Sequence, residues 1–406
     1  MGDDLYMHFR KSYQNIPLFR ILTTLVFILL VSTAQALDQN SYSDIRRSDP
    51  VSAKEYEAIG LEYTDALNKK DIQKLAKLFD MESFAYAAAR TVFESKKEIN
   101  GFVKGVLKRT EEQFLSQIFS AVFNREVKAK YLRLLENDQP LIRIDYTEGG
   151  HEYAILYLKR IAPGKIVVVD MFFLTSGQKL SVALGAASQL LLRPSKSILK
   201  RIFGKAEIDS KMLVAIRDIG KLRIAGKYKE AYDLITTLPE AIKKNRIVID
   251  TSIQLAQYIN DEEYRKQLTR LDKYYGQDET TTFILIDHYF FNGDYDKALL
   301  SMDRLIDRLG VDGALLNLKA NAYYAAKKYT KAQEYARKAI QQEPSFEDAY
   351  WTLITTLTET GDYGGTILVL NQVEKKFGYK FKAEDFETNK IYDKFVKTSE
   401  FRTRFN

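Results

Sequence analysis

The sequence predicts an α+β domain followed by an all-α array of helical hairpins. Three observations support this prediction: a spacing of 34 residues that recurs in the last third of the chain, segments with period-two alternation before it, and an apolar content sufficient for packed cores. The chain has 406 residues, of which 46% are hydrophobic and 12% aromatic. That composition is typical of a folded protein with two or three domains.

Residues 1–36 have the pattern of an export signal. Basic side chains precede an apolar run over residues 21–31, and Ala34 and Ala36 supply small side chains before a cleavage point. We therefore expect a cleaved signal peptide, a periplasmic or secreted bacterial protein, and a flexible mature N-terminus over residues 37–51.

An uncleaved membrane anchor is the alternative interpretation of this segment. Its apolar run of 11 residues is short of the ~20 that a membrane-spanning helix needs, which favours export. Because residues 1–6 are acidic, Met7 is an alternative start.

Cysteine is absent from the chain, which excludes disulfides, thiol catalysis and cysteine-ligated metals. The formal net charge is +7, but its position matters more than its size. Residues 52–175 and 212–406 are nearly neutral, whereas residues 176–211 contain seven basic and two acidic side chains. Because most of the excess lies in one connecting segment, we expect no nucleic-acid partner.

Residues 52–175 are predicted to contain helices followed by a sheet. Residues 52–80 and 96–123 have apolar positions at three-to-four spacing, which is typical of amphipathic helices. Four segments with period-two alternation follow and are separated by short turns, which indicates an antiparallel meander covered by helices on one face. The predicted strands are residues 127–135, 141–146, 152–160 and 165–173.

The order of these elements, together with the sequence Ala-Leu-Asn-Lys-Lys-Asp at residues 66–71, resembles the NTF2-like cone fold. The resemblance implies a curved sheet that wraps a pocket. Some members of that fold are isomerases or hydrolases, and many are binding or dimerisation modules. It therefore implies a homodimer as one arrangement of this chain.

A small-ligand pocket in the cone would use acid and base side chains on or beside the strands. The candidates are Asp145, Tyr146, His151 and Asp170, with Tyr153 and Tyr157 nearby. Asp170 has an alternative role as a cap of the turn at residues 176–177. No two of the three histidines have metal-ligand spacing, and there is no phosphate-binding glycine loop or nucleophile elbow. We expect no cofactor and no metal.

Residues 176–211 are predicted to be a helical connector. A stretch of small residues over 181–188 is followed by a basic amphipathic segment over 196–205. This segment either packs between domains with its charges in solvent or makes a peripheral contact with an acidic membrane surface. We favour the first interpretation because charged helix faces are usually solvated.

The spacing of 34 residues relates Tyr295, Tyr329 and Tyr363, and an upstream pair, Tyr228 and Ala231, has the same pattern. This period is the length of one helical hairpin in a solenoid, where stacked hairpins bury the apolar face that a single hairpin cannot. The other matched sets are Ala298, Ala332 and Thr366; Leu305, Ala339 and Val373; and Gly293, Lys327 and Gly361.

These segments resemble the tetratricopeptide repeat (TPR) family, chiefly at the tyrosine, glycine and alanine positions given above. The resemblance covers residues 212–380 with about five hairpins, one of them degenerate between residues 246 and 278, and it implies a capping helix over residues 381–406. Lys319 lies where the family prefers Leu, and Thr366 where it prefers Ala. Both departures are expected to loosen packing.

The resemblance also implies a partner-binding groove on the first helix of each hairpin. The candidate residues are Phe283, Asp287, Phe290, Asn317, Asn321, Tyr324, Trp351 and Thr355. Asparagine amides can hold an extended peptide backbone, and aromatic side chains can anchor it. The alternative for the aromatic residues is a role in the core between repeats. Asn317, Asn321 and Trp351 are favoured because polar or very large side chains fit a core least well.

Taken together, the sequence predicts an exported, non-enzymatic scaffold of the cell envelope that binds another protein or peptide through its TPR groove. The alternative is an envelope enzyme or small-ligand-binding protein that uses the cone pocket, with the repeats as a docking arm.

Overall fold

The computed structural model describes residues 50–147, 149–192, 209–387 and 389–405. The predicted signal peptide, the mature N-terminus up to residue 49 and the basic segment 196–205 lie outside these residues. The described residues form two compact units. We call those up to His288 the sheet unit and those from Tyr289 onward the repeat unit.

The sheet unit begins with helices and continues into an antiparallel sheet, as predicted. Its first helices are α1 (Pro50–Asn68), α2 (Ile72–Leu78), α3 (Met81–Arg90), α4 (Lys96–Val106), α5 (Glu111–Ile118) and α6 (Ser120–Phe123). The strands are β1 (Val127–Leu134), β2 (Pro140–Tyr146), β3 (His151–Ala162), β4 (Lys165–Phe173) and β5 (Gln178–Lys179). They pair in chain order, so the four predicted strands are confirmed and a two-residue fifth strand is added.

The space between the sheet and its N-terminal helices is filled by side chains. Ile144, Leu156 and Val168 on the strands are fully buried, and they belong to one apolar cluster with Tyr63 of α1 and Phe84 of α3. The Tyr63 hydroxyl donates to Met171 Sδ across this core at 2.9 Å. The interior of the predicted cone is therefore a packed core in this region.

The motif at residues 66–71 fastens α1 to the edge of the sheet. The Asn68 amide forms paired hydrogen bonds with the backbone of Ala129, donating to its carbonyl at 2.9 Å and accepting from its N–H at 2.7 Å. Asp71 caps α2 by accepting from the backbone N–H of Lys74 at 2.9 Å. The motif thus satisfies part of the outer edge of β1 and starts the next helix, since edge strands leave backbone groups unpaired.

Helix α7 (Leu180–Leu192) contains the small-residue stretch and packs against α3. A Cβ atom on Gly185 would lie 2.2 Å from Thr91 Oγ1, so the two helices approach closely. Gly185 in the small-residue stretch of the predicted connector is therefore required by packing within the sheet unit.

The second half of the sheet unit contains the first hairpins. Its helices are α8 (Ser210–Ile224), α9 (Tyr228–Thr236), α10 (Glu240–Lys243), α11 (Arg246–Ala256), α12 (Asp261–Tyr275), a 3-10 turn (Glu279–Thr281) and α13 (Thr282–Phe291), whose last turn belongs to the repeat unit. The pair α11 and α12 is the degenerate hairpin.

These hairpins contact the face of the sheet that is opposite the apolar core. The ring of Phe283 meets Tyr153 of β3 edge-on, with centroids 5.6 Å apart. At the β4–β5 turn, Gly177 has φ +62°, and a Cβ atom there would lie 2.3 Å from the carbonyl oxygen of Thr280. The turn therefore needs glycine for its conformation and for the close approach of the hairpin.

The repeat unit continues the series of hairpins. Its helices after α13 are α14 (Tyr295–Leu309), α15 (Gly313–Ala325), α16 (Tyr329–Gln342), α17 (Glu347–Glu359), α18 (Tyr363–Phe377), α19 (Glu384–Glu387) and α20 (Ser399–Phe405), with 3-10 turns at Lys390–Tyr392 and Phe395–Lys397. The described chain after residue 209 thus has a helical repeat arrangement.

The repeat register read from the sequence is confirmed. Tyrosine is the first residue of the second helix in four hairpins, and the small residue three positions later is fully buried in each. The tyrosines are Tyr228, Tyr295, Tyr329 and Tyr363, and the small residues are Ala231, Ala298, Ala332 and Thr366. The residue two positions before the tyrosine has a left-handed backbone conformation, with φ +70° at Gly293, +58° at Lys327 and +77° at Gly361.

The prediction of one capping helix over residues 381–406 is wrong. Two short helices and two 3-10 turns occupy this region, and their aromatic rings converge on Phe386. At about 100° per residue, one straight helix would place Phe395 on the side opposite Phe386. Folding back brings these side chains into one core.

Candidate functional site

The eight predicted groove residues differ in their burial. Phe290, Asn321 and Tyr324 are partly exposed, and the other five are buried: Phe283, Asp287, Asn317, Trp351 and Thr355. Phe283 and Asp287 belong to the sheet unit, and the remaining six belong to the repeat unit. The predicted groove residues therefore differ both in burial and in the unit to which they belong.

Trp351 is part of a core, which removes it from the groove. Its side chain is 4% exposed, its ring meets Tyr379 and Phe381 edge-on, and its Nε1 donates to Glu347 Oε1 at 2.9 Å. Tyr379 and Phe381 follow the last hairpin, so the repeat pattern does not include them. The prediction failed because a segment beyond the repeats covers this ring.

Phe283 and Asp287 also make internal contacts, although Asp287 Oδ1 has no hydrogen-bond partner among the described residues. Phe283 packs on Tyr153 of the sheet. Asp287 accepts a hydrogen bond from the Tyr264 hydroxyl at 3.1 Å, and burial raises the pKa of its carboxyl well above the usual range. Tyr264 occupies the small-residue position of the degenerate hairpin, one period before Ala298. A large side chain there reaches the next hairpin.

A seam of uncharged polar side chains remains on α15 and α17 of the repeat unit. It consists of Asn317, Asn321, Thr352 and Thr355. Thr352 Oγ1 donates to Asn321 Oδ1 at 3.0 Å and so joins the two helices. Thr352 follows Trp351 directly on α17 and is the member of the seam with a direct contact to Asn321. We call these four residues the polar seam.

Asn317 is the least satisfied member of the polar seam. Its side chain is 4% exposed, and its Oδ1 atom has no hydrogen-bond partner among the described residues. A buried polar atom without a partner costs about 1–3 kcal/mol relative to a paired one. Asn321 lies one helical turn further along α15 and is partly exposed, so the seam reaches solvent at that point.

Two partly exposed aromatic rings lie beside the turns that follow the first helices. Phe290 meets Tyr295 with ring centroids 5.8 Å apart, and Tyr324 meets Tyr329 at 5.7 Å. The two pairs occupy equivalent positions of consecutive hairpins. Lys328 and Asp296, on the neighbouring turns, form an ion pair at 3.4 Å, so these turns lie side by side.

Lys319 tightens the packing that it was expected to loosen. Its ammonium group forms an ion pair with Asp303 of α14 and lies 4.7 Å from the ring centroid of Tyr335 on α16. Burial lowers the pKa of Lys319, but the contacts with Asp303 and Tyr335 outweigh it, and the pKa lies above its usual value. The ammonium group of Lys319 therefore links α15 to α14 and α16.

The predicted pocket residues of the sheet domain do not form one site: Asp145 and His151 meet, but Asp170 and Tyr146 lie apart from them. Asp145 is opposite His151 in the β2–β3 ladder, and Asp170 is opposite Tyr157 in the β3–β4 ladder. His151 and Tyr157 are six positions apart on β3, which corresponds to about 20 Å at ~3.3 Å per residue. Tyr146 follows Asp145 directly on β2 and points to the other face of the sheet.

Asp145 belongs to a compact ionic cluster. Arg143, which is 1% exposed, binds both of its carboxylate oxygens at 2.7 and 2.8 Å, and His151 Nδ1 lies 2.7 Å from Oδ1. Burial alone would raise the pKa of Asp145, but the charge of Arg143 and the contact with His151 outweigh it and hold the pKa well below its usual range. The carboxylate is thus a fixed counter-charge for Arg143.

Asp170 caps the start of α7 rather than the turn at residues 176–177 that the alternative interpretation gave it. It accepts hydrogen bonds from the backbone N–H groups of Met171 and Ser181 at 2.9 and 3.1 Å, and from the Ser181 hydroxyl. Burial raises the pKa of Asp170 to about 6 against these donors. The capped element is the helix after the turn, so the residue has a clear structural role.

Glu152 is a buried carboxyl that sequence reasoning missed. Its oxygens accept from the backbone N–H groups of Tyr153 and Thr175 at 2.9 and 3.2 Å and from the Thr175 hydroxyl, and burial raises its pKa to about 7. The available signal was its place on β3: Ala154, Leu156 and Leu158 share its face, so an acidic residue interrupts an apolar row.

Within the described ranges, no three His, Asp or Glu side chains are arranged to hold a metal ion. None of the helices in the same ranges combines the length and apolar character that crossing a membrane requires. The chain matches no protein-family model, and no curated protein sequence matches it significantly. The resemblances to the NTF2-like and TPR families therefore rest on the residues and elements described above.

Proposed function

We propose that the chain is an exported scaffold of the cell envelope, without an activity of its own, whose repeat unit binds a partner polypeptide at the polar seam. In this proposal the sheet domain is an NTF2-like module and the hairpins are TPR hairpins. The observation that carries the proposal is the buried amide of Asn317, whose oxygen has no partner among the described residues.

A polypeptide is the ligand that suits this seam. An asparagine side chain presents one carbonyl acceptor and one N–H donor group, which is the complement of a peptide unit. Asn317 and Asn321 lie one turn apart on the same helix, so they can address successive parts of one extended chain. The aromatic rings of Phe290 and Tyr324 add apolar contact area, and aromatic residues contribute strongly to binding energy.

The proposed location follows from the signal-like N-terminus and the absence of cysteine. A pulse-chase experiment in the native host with cell fractionation tests it. The proposal expects a shorter mature protein in the envelope fraction. Retention of the full-length chain in the cytoplasm would contradict it.

Site-specific photo-crosslinking in intact cells tests the binding surface. A crosslinking amino acid at Asn321 is expected to capture a defined partner, whereas the same group at Arg337, an exposed residue of the second helix α16, is expected not to. The adduct from Asn321 should disappear when Asn317 is changed to Ala in the same chain. Equal adducts from both positions, or an adduct unaffected by Asn317→Ala, would contradict the proposed surface.

A further inference from the structure

We infer that the sheet unit has a second binding site, at the turn between α8 and α9, where Arg223 binds an Asp or Glu side chain of a partner polypeptide. The site is separate from the polar seam, which belongs to the repeat unit. Two observations support the inference. Arg223 is an arginine on the buried side of α8 without an acidic partner among the described residues, and an exposed tyrosine pair lies beside it.

Arg223 continues the buried stripe of α8 at the C-terminal end of the helix. Met212, Ile216 and Ile219 form this stripe and are buried, and Arg223 follows them at the same three-to-four spacing. The Arg223 side chain is partly exposed, so a partner can reach it. The surrounding protein nevertheless removes much of its water, and this desolvation lowers the pKa of Arg223 to about 10. The guanidinium therefore stays charged at neutral pH but is incompletely hydrated.

The described residues supply no counter-charge for this guanidinium. No hydrogen bond or ion pair joins the Arg223 side chain to any of them, and the Tyr228 hydroxyl is the ionisable group among them that acts on its pKa. The carbonyls of Lys221 and Leu222, at the end of α8, accept backbone N–H groups of the turn instead. A desolvated charge without a counter-charge is unfavourable. A partner carboxylate would remove that penalty.

A stacked pair of tyrosines adjoins Arg223. Burial raises the pKa of Tyr228 and the charge of Arg223 opposes this rise, so the two side chains are neighbours. The Tyr228 ring stacks on Tyr258, which follows α11, with centroids 4.3 Å apart and an interplanar angle of 31°. Tyr258 is 47% exposed. A partner that reaches Arg223 can also cover this ring, and tyrosine and arginine are enriched among the residues that dominate binding energy in interfaces.

A single carboxylate suits this site better than a chain of phosphates. The planar guanidinium can bind both oxygens of a carboxylate through two N–H groups. Nucleic acids and acidic membranes are bound by several cations together, but the neighbouring lysines are already paired. Lys221 pairs with Asp218 at 3.8 Å and Lys227 with Glu230 at 3.2 Å. The site therefore takes one acidic side chain, with an apolar neighbour that packs on Tyr258.

The stability of the free chain is the first test. Arg223→Met keeps the apolar part of the side chain and removes a charge that has no internal counter-charge. Its urea midpoint should therefore equal or exceed that of the unchanged protein. Arg217→Met is the matched control because Arg217 is 44% exposed on the same helix, and it should leave the midpoint unchanged. A lower midpoint for Arg223→Met alone would show a role inside the fold and would overturn the inference.

Peptide selection is the second test. A library of random peptides is selected on the purified mature chain and counter-selected on the Arg223→Met chain. We expect the enriched peptides to contain Asp or Glu. The best of them should bind the Arg223→Met chain about tenfold or more weakly, and its affinity should fall as the salt concentration rises. Arg217→Met and Asn317→Ala should bind it as tightly as the unchanged chain does.

Three other outcomes of the selection would contradict the inference. Failure to enrich any peptide, or enrichment of peptides without an acidic residue, would overturn it. So would binding of inorganic phosphate or a DNA oligonucleotide that depends on Arg223 while no acidic peptide binds, because the ligand would then be a phosphate. Loss of peptide binding in Asn317→Ala but not in Arg223→Met would place the peptide at the polar seam, which would support the proposed function and overturn this second site.

Discussion

Equivalent positions on the first helices have different neighbours in the two units. Phe283 and Asp287 in the sheet unit correspond to Asn317 and Asn321 in the repeat unit, one period later. Phe283 packs on a strand, and Asp287 is buried and accepts from Tyr264 through Oδ2, although its Oδ1, like that of Asn317, has no partner among the described residues. Asn321, which corresponds to Asp287, is partly exposed and accepts from Thr352. The repeat pattern predicts which positions share a wall. The elements that pack against that wall decide whether a position is used internally.

The largest expected effect comes from the turn that joins the sheet to the early hairpins. Gly177→Ala combines a strained φ with a Cβ atom 2.3 Å from the Thr280 carbonyl oxygen, so we expect a loss of about 3–4 kcal/mol in the free energy of unfolding. Urea unfolding measures it. Gly164→Ala is the matched control, because Gly164 has φ +70° with nothing within 4 Å, and it should cost about 1 kcal/mol. Equal losses would show that the close approach is not important.

Glu152 should make the sheet unit sensitive to pH. Its folded pKa of about 7 is raised above the unfolded value of 4.5, so its contribution is fully present below pH 4.5 and is lost as the pH rises through 7. The loss amounts to about 3 kcal/mol. Glu152→Gln should remove this part of the pH dependence while Asp170 and the other groups keep theirs. Parallel stability profiles for the two proteins between pH 4.5 and 8 would contradict the assignment.

The Tyr264–Asp287 contact should be a coupled pair. Tyr264→Phe leaves the buried Asp287 carboxyl without its hydroxyl donor, and we expect a cost of about 1–3 kcal/mol. A double-mutant cycle with Asp287→Ala, which removes the acceptor, measures the interaction free energy, which should be about 1 kcal/mol or more. Additive effects would mean that the hydrogen bond between Tyr264 and Asp287 contributes no stability.

The smallest expected effect tests the left-handed backbone position in the turn before each second helix. Lys327 adopts φ +58° where the equivalent residues Gly293 and Gly361 are glycines, so Lys327→Gly should stabilise the repeat unit by about 1 kcal/mol. Gly361→Ala should destabilise it by a similar amount, since nothing lies within 4 Å and the strain is in the backbone alone. Thermal unfolding compares the two variants. A loss of stability in Lys327→Gly would contradict the role of this turn position.

The sequence was sufficient for features that depend on local periodicity. Alternating Val, Ile and Tyr predicted the four long strands, and the spacing of Tyr295, Tyr329 and Tyr363 predicted where the second helices begin. Features that depend on contacts between distant segments could not be predicted from the sequence. Trp351 is covered by Tyr379 and Phe381 from beyond the last hairpin. Phe283 packs on Tyr153, which precedes it by more than a hundred residues.

The same distinction explains the candidate site. Asn317 and Asn321 were predicted because the resemblance to the TPR family assigns their positions to the wall formed by the first helices, and they stay a prediction. The separation of Asp145 from Asp170 could not be predicted, because β2 and β4 flank β3 and their residues can be far apart along the strand direction. Strand register, which decides that separation, is set by pairing and turns rather than by the alternation of a single strand.

The most direct test of the contrast between the two units is thiol labelling of single-cysteine variants, which is straightforward because the chain contains no cysteine. Asp287→Cys and Asn321→Cys place the thiol at equivalent positions, the first buried and the second partly exposed. Under native conditions a maleimide should react quickly at position 321, and at position 287 only at the rate of unfolding. Equal native-state rates at the two positions would contradict the account.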